Sequence, residues 1–338
     1  MSQIIAYKLN FHTPLHIAAQ GVGYEETESM IHSDTLFSAL MSLWHHFYAD
    51  ADIGKMCGSC DQNKDGPAFL ISSAFPFKKE SLFFPRPMMR IGREGEDDPK
   101  KGKQLKKVRF ISKGLFEASL KGNPPEFHAD NTFQNGMCWT DRQMPESARV
   151  FSKREVPRVT LDRRTFESDI FYFSEVLFEK DAGLFFLVRF WDQRIRPRFE
   201  AVLRLLGDEG IGGDKRIGRG LFSVTSEDNF TLSVPKNPDG FLSLSLYFPT
   251  ESEFDSMSDK VSYNLLSRKG WIHSFGAMSL KRQSVRMFAE GSVFNLLGRP
   301  PYGASPCVLR QNREPGLKHD IYRYGFAFDI PVLKREET

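Results

Sequence analysis

RIRPRFEAVLRLLGDEGIGGDKRIGRGLFSV, Arg194 to Val224, is the stretch on which the fold turns. Its first half reads as an amphipathic helix, with Ile195, Phe199, Val202, Leu203 and Leu206 on one face and Pro197 tolerable only in the first turn. From Gly210 to Val224 it carries five glycines and three cations and runs into the apolar LFSV, which reads as a strand. A mononucleotide P-loop is excluded, because Gly213 and Gly218 are followed by Arg219 and Gly220 where Lys and Ser or Thr are required. The dinucleotide fingerprint fails as well, with Lys215 in place of the third glycine after Gly210 and Gly212. The order is helix, loop, strand, so no helix N-terminus faces a phosphate. Two readings survive. One is a loop whose backbone N–H groups, with Lys215, Arg216 and Arg219, carry a phosphodiester chain; the other is a helix C-cap and plain turn.

Outward from this stretch, IIAYKLNFH predicts a first strand. HSDTLFSALMSLWHHFY places Leu36, Leu40, Leu43, Trp44 and Phe47 at helical spacing, with Ser33 or Asp34 as N-cap. AFLISSAFPF and LFFPRPMM read as a strand pair, VRFISKGLFEASL as a strand and short helix, and residues 92–107, almost without apolar side chains, as a loop. Residues 121–147 form an insertion with no assigned place. EVPRVTLDRRT and DIFYFSEVLF read as the arms of a β-ribbon, followed by the strand LFFLVRFW. Strand, helix, strand pair, helix, strand is the βαββαβ order of a ferredoxin-like α+β unit. FLSLSLYF and RYGFAFDIPV open and close a second strand series, expected to repeat that order in eroded form.

The 338 residues carry a formal charge of only +3, but the cations are segregated. KKGKQLKKVR, RIRPR, DKRIGR and KRQSVR are basic, whereas EDD and ESEFD gather acids; patches of this kind are either a polyanion footprint or solvated faces. Four cysteines at uneven spacing do not make a disulfide framework. No apolar run is long enough for a membrane span and no cleavable leader is read, so a cytoplasmic protein without membrane contact is expected. Cys57 and Cys60, with His45 and His46 upstream, are a lone C-x-x-C that could join a zinc site only with partners supplied by the fold. No cofactor and no metal is expected.

Helix, GIGGDKRIGRGLF and strand together resemble the glycine-rich loop of the RAMP superfamily of CRISPR RNA-binding proteins. FHTPLHIA, IHSDTLFSALMSLW, FPRPMM, KKVRFIS, RVTLDRRT with FYFSEVLF, and FAEGSVF narrow the resemblance to the subunit that caps the crRNA 5′ end in type III-A (Csm) effector complexes. The resemblance implies two ferredoxin-like (RRM-like) domains, residues 1–228 and 229–338, the first with insertions over about 92–165 that include a thumb-like β-hairpin. It implies that Gly210, Gly212, Gly213, Lys215, Arg216, Gly218 and Arg219 contact the crRNA backbone. Arg154, Arg158, Arg163 and Arg164 would be phosphate contacts of the hairpin, with residues 156–159 as its wedge. His32 and Ser33 would lie near the 5′ tag, with Lys281 and Arg282 among the RNA contacts. Implied partners are the crRNA, the large polymerase/cyclase-domain subunit, the RAMP backbone subunit and, in the assembled complex, target RNA. The role implied is a scaffold without catalysis. A rival in the same superfamily is a metal-independent repeat-processing endoribonuclease. It would need His32 as general base, or His12 and His16 with Tyr24 and Lys215.

Overall fold

The structure is a computed structural model and describes residues 3–19, 24–48, 56, 66–89, 99–123, 125–145, 147–270, 280–311 and 320–334. The first part of the chain runs β1 (Ile4–Phe11), α1 (Ser33–Phe47), β2 (Phe69–Ile71), β3 (Phe75–Lys78), β4 (Ser81–Pro85), α2 (Pro99–Lys107), β5 (Phe110–Ser112) and α3 (Lys113–Leu120). It continues with β6 (Thr132–Phe133), β7 (Cys138–Trp139), β8 (Phe151–Leu161), β9 (Ser168–Phe178), β10 (Ala182–Phe190), α4 (Arg196–Glu209) and β11 (Phe222–Phe230). Nine strands form one mixed sheet in the order β11-β1-β10-β3-β4-β5-β7-β6, with β2 also paired to β10. Among the described residues only the β5–β7 pair is parallel.

The near-continuous apolar run of β10 follows from burial on both faces of the sheet. Successive side chains alternate, so Phe186 meets Tyr7 at 5.4 Å on one face, while Phe185 meets Phe84 at 5.1 Å on the other. Phe199 of α4 closes the first face, at 5.7 Å from Tyr7 and 5.1 Å from Phe69, with α1 packed beside α4. Phe116 of α3 closes the second, stacked on Phe84 at 4.6 Å. Pro197 lies in the first turn of α4, where its missing N–H costs nothing.

The second half contains β12 (Gly240–Ser243), α5 (Glu251–Asp255), β13 (Leu265–Arg268), β14 (Val285–Phe288), β15 (Val293–Asn295), β16 (Cys307–Leu309), β17 (Ile321–Tyr322) and β18 (Asp329–Val332). β15-β12-β18 form a small sheet, and β13–β14 and β16–β17 are separate pairs. Among the described residues this half has a single α-helix, α5, started by a Thr250–Glu253 capping box. The main core is continuous across the chain. Tyr324 stacks on Phe37 of α1 at 4.6 Å, and Leu242, Leu244, Phe326 and Phe328 join the same cluster. Phe241, Tyr247, Phe288, Phe294 and Tyr302 build a smaller one.

Several elements differ from the sequence reading. Residues 99–107 are helix rather than loop, because Leu105 finds the core and the surrounding lysines are good helix formers. The insertion left without a place at residues 121–147 contributes β6 and β7, which extend the main sheet and bury Phe133 and Trp139. His32 is the N-cap residue of α1, without a side-chain cap, since Ser33 and Asp34 are drawn into contacts elsewhere. Phe47 is 61% exposed rather than in the core. Val156-Pro157-Arg158-Val159, the expected wedge, lies in the middle of the ribbon, paired with residues 170–173; the turn falls at residues 162–167. Cys57 and Cys60 lie outside the described residues.

Candidate nucleic-acid interface

The glycine loop leaves α4 at Gly210, makes a short 3-10 turn over Lys215–Ile217 and enters β11. It folds back on the HTPLH segment, residues 12–16. Gly213 N–H donates to the His16 carbonyl (2.9 Å), Gly220 N–H to Pro14 (2.8 Å) and Leu221 N–H to Thr13 Oγ1 (2.9 Å). Two glycines are required by close approach. A Cβ on Gly212 (φ +95°) would stand 2.3 Å from the His16 carbonyl oxygen, and one on Gly220 (φ +72°) would stand 2.0 Å from that of Ile211. The amides of Gly210, Gly213 and Gly218 are bonded inside the protein, to Leu206, His16 and Lys215. These three glycines therefore shape the loop, and their N–H groups are not the phosphate donors the sequence suggested. Lys215 and Arg216 point outward, and Ile217 between them and Gly218 is 65% exposed.

The same HTPLH segment holds the β8–β9 hairpin. Leu15 and Val176 exchange both backbone hydrogen bonds at 2.8 Å, so loop and hairpin flank one strip of chain. The register sets Arg154 opposite Glu175, Val156 opposite Phe173 and Arg158 opposite Phe171, all on the hairpin face turned to the loop. Glu175 is 1% exposed and collects the arginines: Arg154 Nε at 3.0 Å, Arg219 Nη2 at 2.8 Å and Arg158 Nη2 at 3.9 Å. Arg158 also pairs through Nη1 with Asp214 of the loop, and its guanidinium lies 3.9 Å over the Phe173 ring. His16 packs on Phe173 at 4.3 Å and donates Nδ1–H to the Ser174 carbonyl at 2.7 Å. Tyr24, 60% exposed, stands 5.8 Å from both Phe171 and Phe173. The result is a surface of cations and aromatic faces, the composition that suits a single-stranded polyanion with unpaired bases.

Glu175 and the aromatic group were missed in the sequence. The signal was there: one acid inside the largely apolar FYFSEVLF of β9. Arg163 and Arg164 sit in the exposed turn, organised by Asp162 Oδ1, which accepts from the Arg164 and Thr165 amides at 2.7 and 3.1 Å. Those two hydrogen bonds lower the Asp162 pKa.

The remaining expected contacts fall in a different cluster, at the start of α1. His32 is 6% exposed, with Nδ1 2.8 Å from Glu290, and Ser73 donates to the same Glu290 oxygen. Ser33 is fully buried; its N–H donates to Ser73 Oγ (2.8 Å) and its Oγ accepts from Leu246 N–H (3.0 Å). Both side chains are thus engaged by the protein interior rather than open to RNA. Asp34 takes two bonds from Arg268, at 3.0 and 2.9 Å, and one from Arg323. Burial alone would raise the Asp34 pKa, but the two guanidiniums outweigh it and hold the carboxyl well below its ordinary range. The same contest, won by His32 and Ser73, lowers Glu290. Arg282 lies half-buried beside this group, where burial and then Arg323 weaken its hold on its proton, while Lys281 is exposed.

Among the described residues no group of three or more His, Cys, Asp or Glu could hold a metal ion, and no helix is long and apolar enough to cross a membrane.

Residues 8–223 match the family model described as the RAMP superfamily, and residues 236–332 match the CRISPR Csm4 C-terminal domain. The chain is 28% identical over 274 residues to the CRISPR system Cms protein Csm4 of Thermococcus onnurineus, covering 78% of this chain and 79% of the relative. It is 22% identical over 361 residues to the protein of the same name from Methanocaldococcus jannaschii, covering 93% and 94%. Its fold is shared with a chain of a Csm1-Csm4 cassette crystallised with cA4, at a TM-score of 0.62 and 21% identity over 99% of this chain and 100% of that one. It is likewise shared with a chain of a Csm3-Csm4 subcomplex of the type III-A CRISPR-Cas interference complex, at a TM-score of 0.63 and 16% identity over 98% and 99%.

Proposed function

Because this chain belongs to the RAMP superfamily and ends in a Csm4 C-terminal domain, we propose that it is the crRNA-binding scaffold of a type III-A interference complex. In that role it holds the crRNA 5′ tag and joins the large polymerase/cyclase-domain subunit to the RAMP backbone filament, with target RNA entering the assembled complex. Relatives crystallised as Csm1-Csm4 and Csm3-Csm4 assemblies support the two protein partners. The sheet order β11-β1-β10-β3, with α1 and α4 together on one face, supports reading residues 1–228 as a ferredoxin-like unit. The β8–β9 hairpin would be its thumb, and residues 229–338 the second domain.

The observation that carries the proposal is the juxtaposition of the glycine loop and the hairpin around Glu175, with cations and aromatic rings on one surface. Lys215, 3.7 Å from Glu209, and Arg216 are its exposed cations; Arg219 is better left intact in a test, since it also neutralises Glu175. Replacing Lys215 and Arg216 together by Ala should weaken binding of tag-containing RNA. It should also flatten the plot of log K against log salt by about 1.4, the loss of two phosphate contacts on a single strand. Unchanged affinity and slope in a folded variant would sink the loop assignment.

The endoribonuclease reading has less support. A general base must reach a 2′-hydroxyl, and His32 is 6% exposed with one ring nitrogen already against Glu290. Incubation with end-labelled RNA in EDTA separates the two: intact, tag-dependent retention supports the scaffold. A discrete cut abolished by His32→Ala would replace it with the nuclease.

A further inference from the structure

We propose that Arg158 and Arg219 frame a phosphodiester-binding site that is closed in the free chain by an internal anion, Asp214, which an RNA phosphate displaces. This rests on the reading of the loop–hairpin surface as RNA-binding.

Three guanidiniums meet two carboxylates at this junction, and the two carboxylates are not equivalent. Glu175 is a fixed part of the interior, 1% exposed, held on β9 and engaged by Arg154 and Arg219. The Asp214 side chain is 29% exposed and sits on the loop in a left-handed conformation, φ 61°. Its backbone carbonyl accepts from Ile217, and among the described residues its side chain pairs with Arg158. Moving that carboxylate away therefore disturbs one ion pair and no core packing.

Arg158 would not move with it. Its guanidinium lies over Phe173 at 3.9 Å and keeps a second, longer contact of 3.9 Å to Glu175. Arg219 reaches the same Glu175 from the loop side, at 2.8 Å, so the two arginines stand on one carboxylate. A phosphodiester presents two oxygens in the same fork that a carboxylate presents to a guanidinium. Asp214 thus occupies the place of a phosphate between the hairpin and the exposed cations Lys215 and Arg216. A single anion must displace Asp214 and gains little else. A chain of phosphates regains the loss at Lys215 and Arg216, so the junction favours a polymer over a mononucleotide.

Asp214→Asn tests this, since Asn also accepts left-handed φ and keeps the loop backbone. Affinity of the full chain for a short single-stranded RNA, measured by filter binding across a salt series, should rise roughly three- to ten-fold at low salt. The slope of log K against log salt should stay nearly the same, because the native chain neutralises the same phosphate once Asp214 has moved. In an Arg158→Met background the Asn substitution should have no effect, which separates displacement at Arg158 from a general change in loop charge. Asp214→Gly provides the same readout with no polar side chain. Unchanged or weaker binding in both variants would overturn the inference while leaving the RNA-binding reading in place, provided the Lys215/Arg216 double variant still loses affinity. Absence of RNA binding by every form would overturn both.

Discussion

Two regions of the molecule use the same chemistry, arginines gathered on a buried carboxylate, and put it to different ends. Around Asp34, whose side chain is fully buried, the Arg268 and Arg323 side chains are 11% and 3% exposed. Around Glu175 the acid is equally buried, but the Arg154, Arg158 and Arg219 side chains are 49%, 23% and 24% exposed. The first cluster joins residues more than 230 apart in sequence and is directed inward, as a clasp between α1 and the second half of the chain. The second turns its cations to solvent. Accessibility of the cation, rather than the presence of the pair, separates a structural ion cluster from a candidate binding surface.

The largest effect expected from breaking this comparison is at Asp34. Asp34→Ala leaves two buried guanidiniums without their counter-charge and should cost about 3–5 kcal/mol, read as a fall in denaturant midpoint. Because the folded-state pKa of Asp34 is depressed, its contribution is present above the ordinary carboxylate value of about 3.9 and is lost as pH falls below it. Stability measured from pH 5 downward should therefore drop more steeply in the native chain than in Asp34→Asn. A parallel pH dependence in the two would show that the clasp contributes little. Glu175→Gln should cost less, about 1–3 kcal/mol, since its arginines can turn to water. Faster amide exchange confined to β9 and the loop would mark the release of one from the other; uniform exchange would mean they are coupled by the HTPLH backbone alone. The smallest effect belongs to the hairpin turn. Exchanging residues 162–167 for a two-residue Asn-Gly turn should change global stability by no more than about 0.5 kcal/mol, because every residue there is exposed. A large loss would mean that the turn supports more than itself.

Much of this architecture was legible in the chain. β1, α1, β5, α3, α4 and the ribbon arms are all set by local periodicity, and LFFLVRFW was legible as a strand, though not its cover on both faces. What could not be read were contacts closed over long separations. Leu105 turns a lysine run into a helix by meeting a core assembled elsewhere, and His32 becomes an N-cap because Ser33 and Asp34 answer to Leu246, Arg268 and Arg323. The candidate interface divides in the same way. Its cations stood out as a local run, from Lys215 to Arg219. Glu175 looked like a lapse in an apolar strand, and only the register with β8 reveals what it gathers.

The β8–β9 ribbon has a mechanical consequence. It is rooted where Phe151 and Val176 enter the core, and Arg158 ties it to the glycine loop partway along. From Val159 to Phe166 its side chains stand in solvent. Eleven paired residues reach roughly 35 Å at the usual rise of a strand. Such a ribbon is a cantilever clamped beyond its midpoint: a force applied at Phe166 bears first on the Arg158–Asp214 pair. Whatever presses on the tip therefore loads the tie between the hairpin and the glycine loop.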